Sequence, residues 1–130
     1  MINIEKLTQI INSHLETDEK IEAKIAGRTT VNNGAGEEIV DGLVGATQHH
    51  VWILINSFNN RVVRAFDFAQ IKSFNFYEKS NEFYIGVSER LFVFSGVLND
   101  PNPRELVQFI FRKKASSQTI NNFSWTFNQR

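Results

Sequence analysis

IKSFNFYEKSNEFYIGVSERLFVFS, residues Ile71 to Ser95, decides the fold. Phe74 with Phe76, Phe83 with Ile85 and Val87, and Phe92 with Phe94 place large apolar side chains at every second position. Successive side chains on a strand point to opposite faces, so a period of two buries one face and leaves the other to water. The separators, Lys79-Ser80-Asn81 and Glu89-Arg90, are polar and short. Three antiparallel strands are predicted, Ile71 to Glu78, Glu82 to Ser88 and Leu91 to Ser95.

The same logic extends toward the N-terminus. Arg61 to Asp67 is read as a strand behind Asn59-Asn60, a pair suited to the left-handed residues of a tight hairpin turn. His49 to Ser57 and Glu38 to Thr47 precede it, joined near Gln48. Val51-Trp52-Ile53-Leu54-Ile55 is apolar on both faces, which predicts a central strand. Ile21, Ala23 and Ile25 alternate with Glu22, Lys24 and Ala26 as a first strand. It is closed off by Asn32-Asn33-Gly34-Ala35-Gly36, where Asn and Gly supply positive φ at little cost. Seven strands result.

Helices are predicted at both ends. Ile4, Leu7, Ile11 and Leu15 recur at three- and four-residue spacing, so an amphipathic helix from about Asn3 to Glu16, capped by Asn3, should dock on the sheet. The second helix starts with Asn102 as N-cap, Pro103 in the first turn and Glu105 three residues after the cap. Leu106, Phe109 and Ile110 give its apolar face, and it is expected to end near Ala115 to Ser117. Beyond it, Phe123, Trp125 and Phe127 alternate with polar residues. The chain thus divides into a helix at 1–17, a β domain with its closing helix at 18–115 and an aromatic tail at 116–130.

Composition narrows the chemistry. Fourteen basic residues balance fourteen acidic ones, so no overall field favours nucleic acid or acidic membranes. Without cysteine there is no disulfide, thiolate nucleophile or Cys-ligated zinc. The N-terminus lacks the apolar stretch of a signal peptide and no run approaches a membrane span, so a cytoplasmic protein is expected. Twelve Phe against two Tyr and two Trp predict a core of large rings.

Gly42-Leu43-Val44-Gly45-Ala46-Thr47-Gln48-His49-His50-Val51, followed by Ala65-Phe66-Asp67-Phe68-Ala69-Gln70-Ile71-Lys72-Ser73-Phe74, resembles the bacterial pleckstrin-homology-like domains of the YokE type, and more distantly GRAM domains. The likeness covers Asp18 to Lys114. Thr47 and the Gln70-Ile71-Lys72-Ser73 run match that pattern, whereas His50 stands where the family commonly has arginine. The fold implied is mainly β (α+β): a seven-stranded antiparallel pleckstrin-homology-like barrel with an N-terminal helix and a C-terminal capping helix. The function implied is binding or self-association without catalysis.

Candidate sites follow from residue chemistry. His49 and His50 are neighbours on a strand and point apart, and His14 is isolated in sequence, so no metal site is expected. No serine lies in a G-x-S-x-G elbow. Glu37, Glu38 and Asp41 flank a Gly-rich turn as a solvated rim, and Gly34-Ala35-Gly36 lacks the Lys-Ser/Thr of a phosphate loop. Neither a catalytic residue nor a cofactor is predicted. For an anion or lipid headgroup the candidates are Lys24, Arg28, Arg61 and Arg64; two cations opposed by two glutamates make a poor phosphoinositide site. Phe123, Trp125 and Phe127 are the candidate partner contact, because aromatic rings are enriched as interface anchors. The expected function is a protein-binding or homo-oligomerisation module, with a barrel holding a small apolar or lipid ligand as the alternative.

Overall fold

A computed structural model describes residues 1–117 apart from 33 and 59. The elements run α1 (Ile4–Asn12), β1 (Ala23–Asn32), β2 (Glu37–Ala46), β3 (His50–Asn56), β4 (Arg61–Asp67), a 3-10 turn (Phe68–Gln70), β5 (Ile71–Tyr77), β6 (Glu82–Val87), β7 (Arg90–Phe94) and α2 (Pro103–Ser117). The protein is mainly β with two α-helices among the described residues. The expected tail contact at Phe123, Trp125 and Phe127 lies outside the described residues, as does Asn59 of the expected hairpin turn.

The seven strands do not close into one barrel. They form two antiparallel meanders, β1-β2-β3-β4 and β5-β6-β7. The ladder stops after β4 because the 3-10 turn swings the chain around a corner, where the Asp67 N–H donates to Gln70 Oε1 at 2.8 Å and Phe68 is buried. At the other side, among the described residues, the sheets meet through a single bridge, Arg28 with Ser95, whose backbone groups exchange bonds of 2.8 and 2.7 Å. Edge-to-edge closure would need a continuous ladder at both seams.

Between the sheets lies the main core. Ile25, Val44, Ile53, Phe74, Phe83, Ile85, Phe92 and Phe94 fill it from the strands, and Leu106, Val107 and Ile110 close it from α2. Nine of the twelve phenylalanines lie in this core or pack against it. Gly42 is part of the fit: a Cβ there would lie 2.6 Å from the Phe94 ring.

A second apolar cluster sits on the opposite face of the larger sheet. Leu7 and Ile11 of α1 lie with Ile2 on Ala26, Leu43, Trp52 and Leu54, and full burial of each aliphatic side chain is worth roughly 1.5–3 kcal/mol. Strand β3 therefore has two dry faces, as its unbroken apolar run predicts. The helix begins as expected, with the Lys6 N–H donating to Asn3 Oδ1 at 3.1 Å. It ends at Asn12 rather than Glu16, because Ser13 turns back and its hydroxyl donates to the Ile10 carbonyl at 2.7 Å.

α2 starts at the predicted place. The Arg104 N–H donates to Asn102 Oδ1 at 3.0 Å, and Pro103 is the first helical residue. Its other end is pinned at the sheet corner by Lys114, whose buried ammonium donates to the Phe68 carbonyl at 2.8 Å. Desolvation there, with Lys72 nearby, holds the Lys114 amine below its usual basicity.

Candidate functional site

The four basic candidates do not converge. Lys24 and Arg28 are on β1 and Arg61 and Arg64 on β4, the two edges of the larger sheet, with β2 and β3 between them. At about 4.8 Å per strand spacing this puts the pairs about 14 Å apart. Three are also engaged: Lys24 Nζ donates to Thr8 Oγ1 at 3.1 Å, Arg28 Nε pairs with Asp41 at 3.2 Å, and Arg61 Nε donates to Asn56 Oδ1 at 3.1 Å. Arg28 and Arg64 are exposed, so neither pair forms an enclosed headgroup cradle.

What the structure does assemble is a polar knot around Glu19, a residue to which the sequence draws no attention. Glu19 lies between α1 and β1, and its side chain has no exposed surface. Glu19 Oε2 accepts from the Thr47 hydroxyl at 2.5 Å, from His50 Nδ1 at 2.9 Å and from the Trp52 indole N–H at 3.1 Å. Oε1 takes the Glu16 N–H at 3.2 Å. Thr47 also accepts from the His49 and His50 N–H groups at 3.1 and 3.0 Å, which shapes the turn between β2 and β3. Desolvation opposes ionisation of Glu19, but the bonds from Thr47, His50, Trp52 and Glu16 outweigh it and hold the carboxyl at about 2. A carboxylate held ionised by four donors is a structural anchor with little basicity left for proton transfer.

The histidines diverge, but not for the expected reason: β3 begins at His50, and His49 lies in the turn before it rather than on the strand. His49 Nε2 faces Asp18 at 3.8 Å, while His50 Nε2 faces Asp67 at 3.6 Å. Among the described residues no group of three or more His, Asp or Glu is arranged to hold a metal ion. His50 thus bridges Glu19 and Asp67.

Two surfaces remain. At one end of the larger sheet, Ile39 is 71% and Phe58 90% exposed, beside a groove lined by Lys6, Glu38, Asp41 and Arg61. The other is the outer face of β5-β6-β7. Phe74, Phe76, Phe83, Ile85, Phe92 and Phe94 all pack on the core side, so Asn75, Tyr77, Tyr84 and Val93 face away. Register sets Tyr84 directly opposite both Asn75 and Val93, and Leu91 opposite Gly86. Leu91 is 61% exposed. α1 lies on the other sheet and α2 on the core, so among the described residues no helix packs across these side chains. Tyr77 and Tyr84 meet edge to face, centroids 5.0 Å apart at 82°, over a groove that also touches Glu78, Lys79, Ser80 and Glu82.

No family model matches the chain, and no curated protein matches it. Among solved structures it is similar to one described as the C-terminal domain of an unknown protein from Leishmania infantum, with a TM-score of 0.56 at 14% identity, covering 84% of this chain and 99% of that one. The likeness is one of fold. Among the described residues no helix is long and apolar enough to cross a membrane.

Proposed function

We propose that this chain is a non-enzymatic, pleckstrin-homology-like module of the cytoplasm that binds a protein partner or a second copy of itself through the outer face of β5-β6-β7. The observation that carries this reading is the row of Tyr77, Tyr84, Val93 and Leu91 on a sheet face to which α1 and α2 do not contribute. Of this row Leu91 is exposed and Tyr77, Tyr84 and Val93 are half-buried; apolar and aromatic side chains at a surface are what a protein interface uses. Support for the family assignment comes from the element order, four strands, three strands and one closing helix, and from Thr47 and Ile71 to Ser73. The same arrangement speaks against the small-ligand alternative, since Phe83, Phe94, Ile25 and Leu106 fill the space between the sheets.

A role for the ionisable residues in catalysis has little support. The densest cluster of them is committed to holding Glu19 in place. The aromatic tail, with Phe123, Trp125 and Phe127, belongs to the proposal as a second contact.

Native mass measurement of the full chain, with capture from source lysate by wild type and by Leu91→Glu, tests the reading. A partner or self-association lost in Leu91→Glu, with an unchanged circular dichroism spectrum, supports it. Equal capture and equal mass for both proteins would assign binding to another surface. Truncation after Gln118 separates the tail from the sheet face: an unchanged mass by light scattering removes the tail from the interface.

A further inference from the structure

We infer that the chain's own tail, residues 122–128, adds to the free edge of β4 as an eighth, antiparallel strand, with Phe123, Trp125 and Phe127 laid beside Phe66, Arg64 and Val62. This goes beyond the protein-binding reading and does not depend on it. A tail held there is the outermost strand of its sheet, which is where a partner would meet it.

The edge of β4 is unfinished in two respects. β4 pairs with β3, and among the described residues no strand lies on its other side. Such an edge presents a row of backbone N–H and C=O groups that pairs with another extended segment unless something covers it. Its side chains are incompletely covered as well. Val62 and Phe66 pack against the main core but are only half-buried, while Val63 turns to the cluster under α1. Alternation therefore sets Arg64 on the core side between Val62 and Phe66, and it is exposed.

The place where α2 ends names the occupant. Its last turns are fixed to Phe68, the residue that follows β4: Lys114 Nζ donates to the Phe68 carbonyl at 2.8 Å, and Lys113 Nζ and the Phe109 ring lie 5.8 and 6.4 Å from the Phe68 ring centroid. The helix runs on to Ser117, about 5 Å further along its axis. Residues 118–122 can span roughly 17 Å. That is enough to turn back to Asp67 and follow β4 in the opposite direction.

The sequence of the tail fits the edge in register. It contains no proline, Asn121-Asn122 suit a turn, and Phe, Trp and Thr favour a strand. Setting Asn122 opposite Asp67 brings Phe123 to Phe66, Trp125 to Arg64 and Phe127 to Val62. Two rings then cover half-buried apolar side chains, and the indole, the best aromatic partner for a cation, covers the guanidinium. A shift of one residue would move all three rings to the face that carries Arg61 and Ala65 and lose these matches.

The chain has no cysteine, so an introduced pair reports on one contact in the full-length protein. Ala65→Cys with Ser124→Cys joins predicted opposite neighbours, about 4.5–5.5 Å apart at Cα, within the range a disulfide accepts. Thr30→Cys with Ser124→Cys is the control, since Thr30 is exposed on β1 at the far edge of the same sheet. Under mild oxidation the first pair should close within one chain at least about tenfold faster than the second, with circular dichroism spectra unchanged. Equal rates, or no closure, overturn the inference, and a cross-link that joins two chains places the tail on a second copy and overturns it too. Truncation after Gln118 is an independent check: hydrogen exchange of the β4 amides that point away from β3 should accelerate at least about tenfold, and unchanged exchange there also overturns it.

Discussion

Replacing Glu19 by glutamine removes one negative charge from a site with no exposed side-chain surface and three side-chain donors aimed at a single oxygen. A carboxyl that ionises near 4.5 in the unfolded chain and at about 2 in the fold contributes about 3 kcal/mol at neutral pH, since each pH unit of difference is worth about 1.4 kcal/mol. Because the folded value is the lower one, this contribution is fully present above pH 4.5 and is lost as pH falls through about 2. Glutamine keeps one acceptor oxygen but must turn its N–H₂ either toward Thr47, His50 and Trp52 or toward the Glu16 N–H, so in both orientations donors face donors. Urea unfolding followed by far-ultraviolet circular dichroism, at pH 7 and in steps down to pH 2, measures the effect. The expected outcome is a Glu19→Gln protein about 3 kcal/mol less stable than wild type at pH 7, with the gap closing across the acid range. A loss under about 1 kcal/mol at pH 7, or a gap that does not change with pH, would refute the assignment of Glu19 as the ionised anchor.

Gly42→Val should lower stability by about 1–3 kcal/mol in thermal melts, because its Cβ would meet the Phe94 ring at 2.6 Å and the Leu54 carbonyl at 3.1 Å. Asn102→Ala removes the acceptor of the Arg104 N–H and should cost about 1 kcal/mol, with Asn102→Ser restoring most of it. Leu7→Ala opens the cluster over Trp52 and should cost roughly 2–5 kcal/mol; in a Trp125→Phe background, Trp52 emission should shift to the red, and an unshifted spectrum would mean that α1 does not shield the indole.

The elements that the sequence announces are those whose causes are local. Asn102-Pro103 marks the start of α2 because capping is settled within one helical turn. The apolar stripe of α1 and the two-sided apolar run of β3 are statements about neighbouring residues, and each finds the burial it predicts. Glu19 is illegible for the opposite reason. Its partners Thr47, His50 and Trp52 come 28, 31 and 33 residues later, and only the folded turn between β2 and β3 brings their donors together. The division into two sheets is hidden for a similar reason: Phe68-Ala69-Gln70 reads as an ordinary connection, and nothing in its composition says that the ladder ends there. The scatter of Lys24, Arg28, Arg61 and Arg64 depends on strand order, which sets β1 and β4 at opposite edges. The tyrosine face stands between these cases. Its residues are the complement of the phenylalanine alternation in Ile71 to Ser95, but the Tyr77–Tyr84 contact needs the hairpin register.

The two dry faces of β3 carry a consequence for how the molecule comes apart. Val51, Ile53 and Ile55 belong to the core under α2, while Trp52 and Leu54 belong to the cluster under α1. Opening either cluster wets one side of the strand and leaves the other in place, so detachment of α1 is a sub-global event and exposure of β3 is the global one. In native-state hydrogen exchange the amides of residues 51–55 should therefore be the slowest in the chain and report the full unfolding free energy, with the α1 amides released earlier as a separate unit.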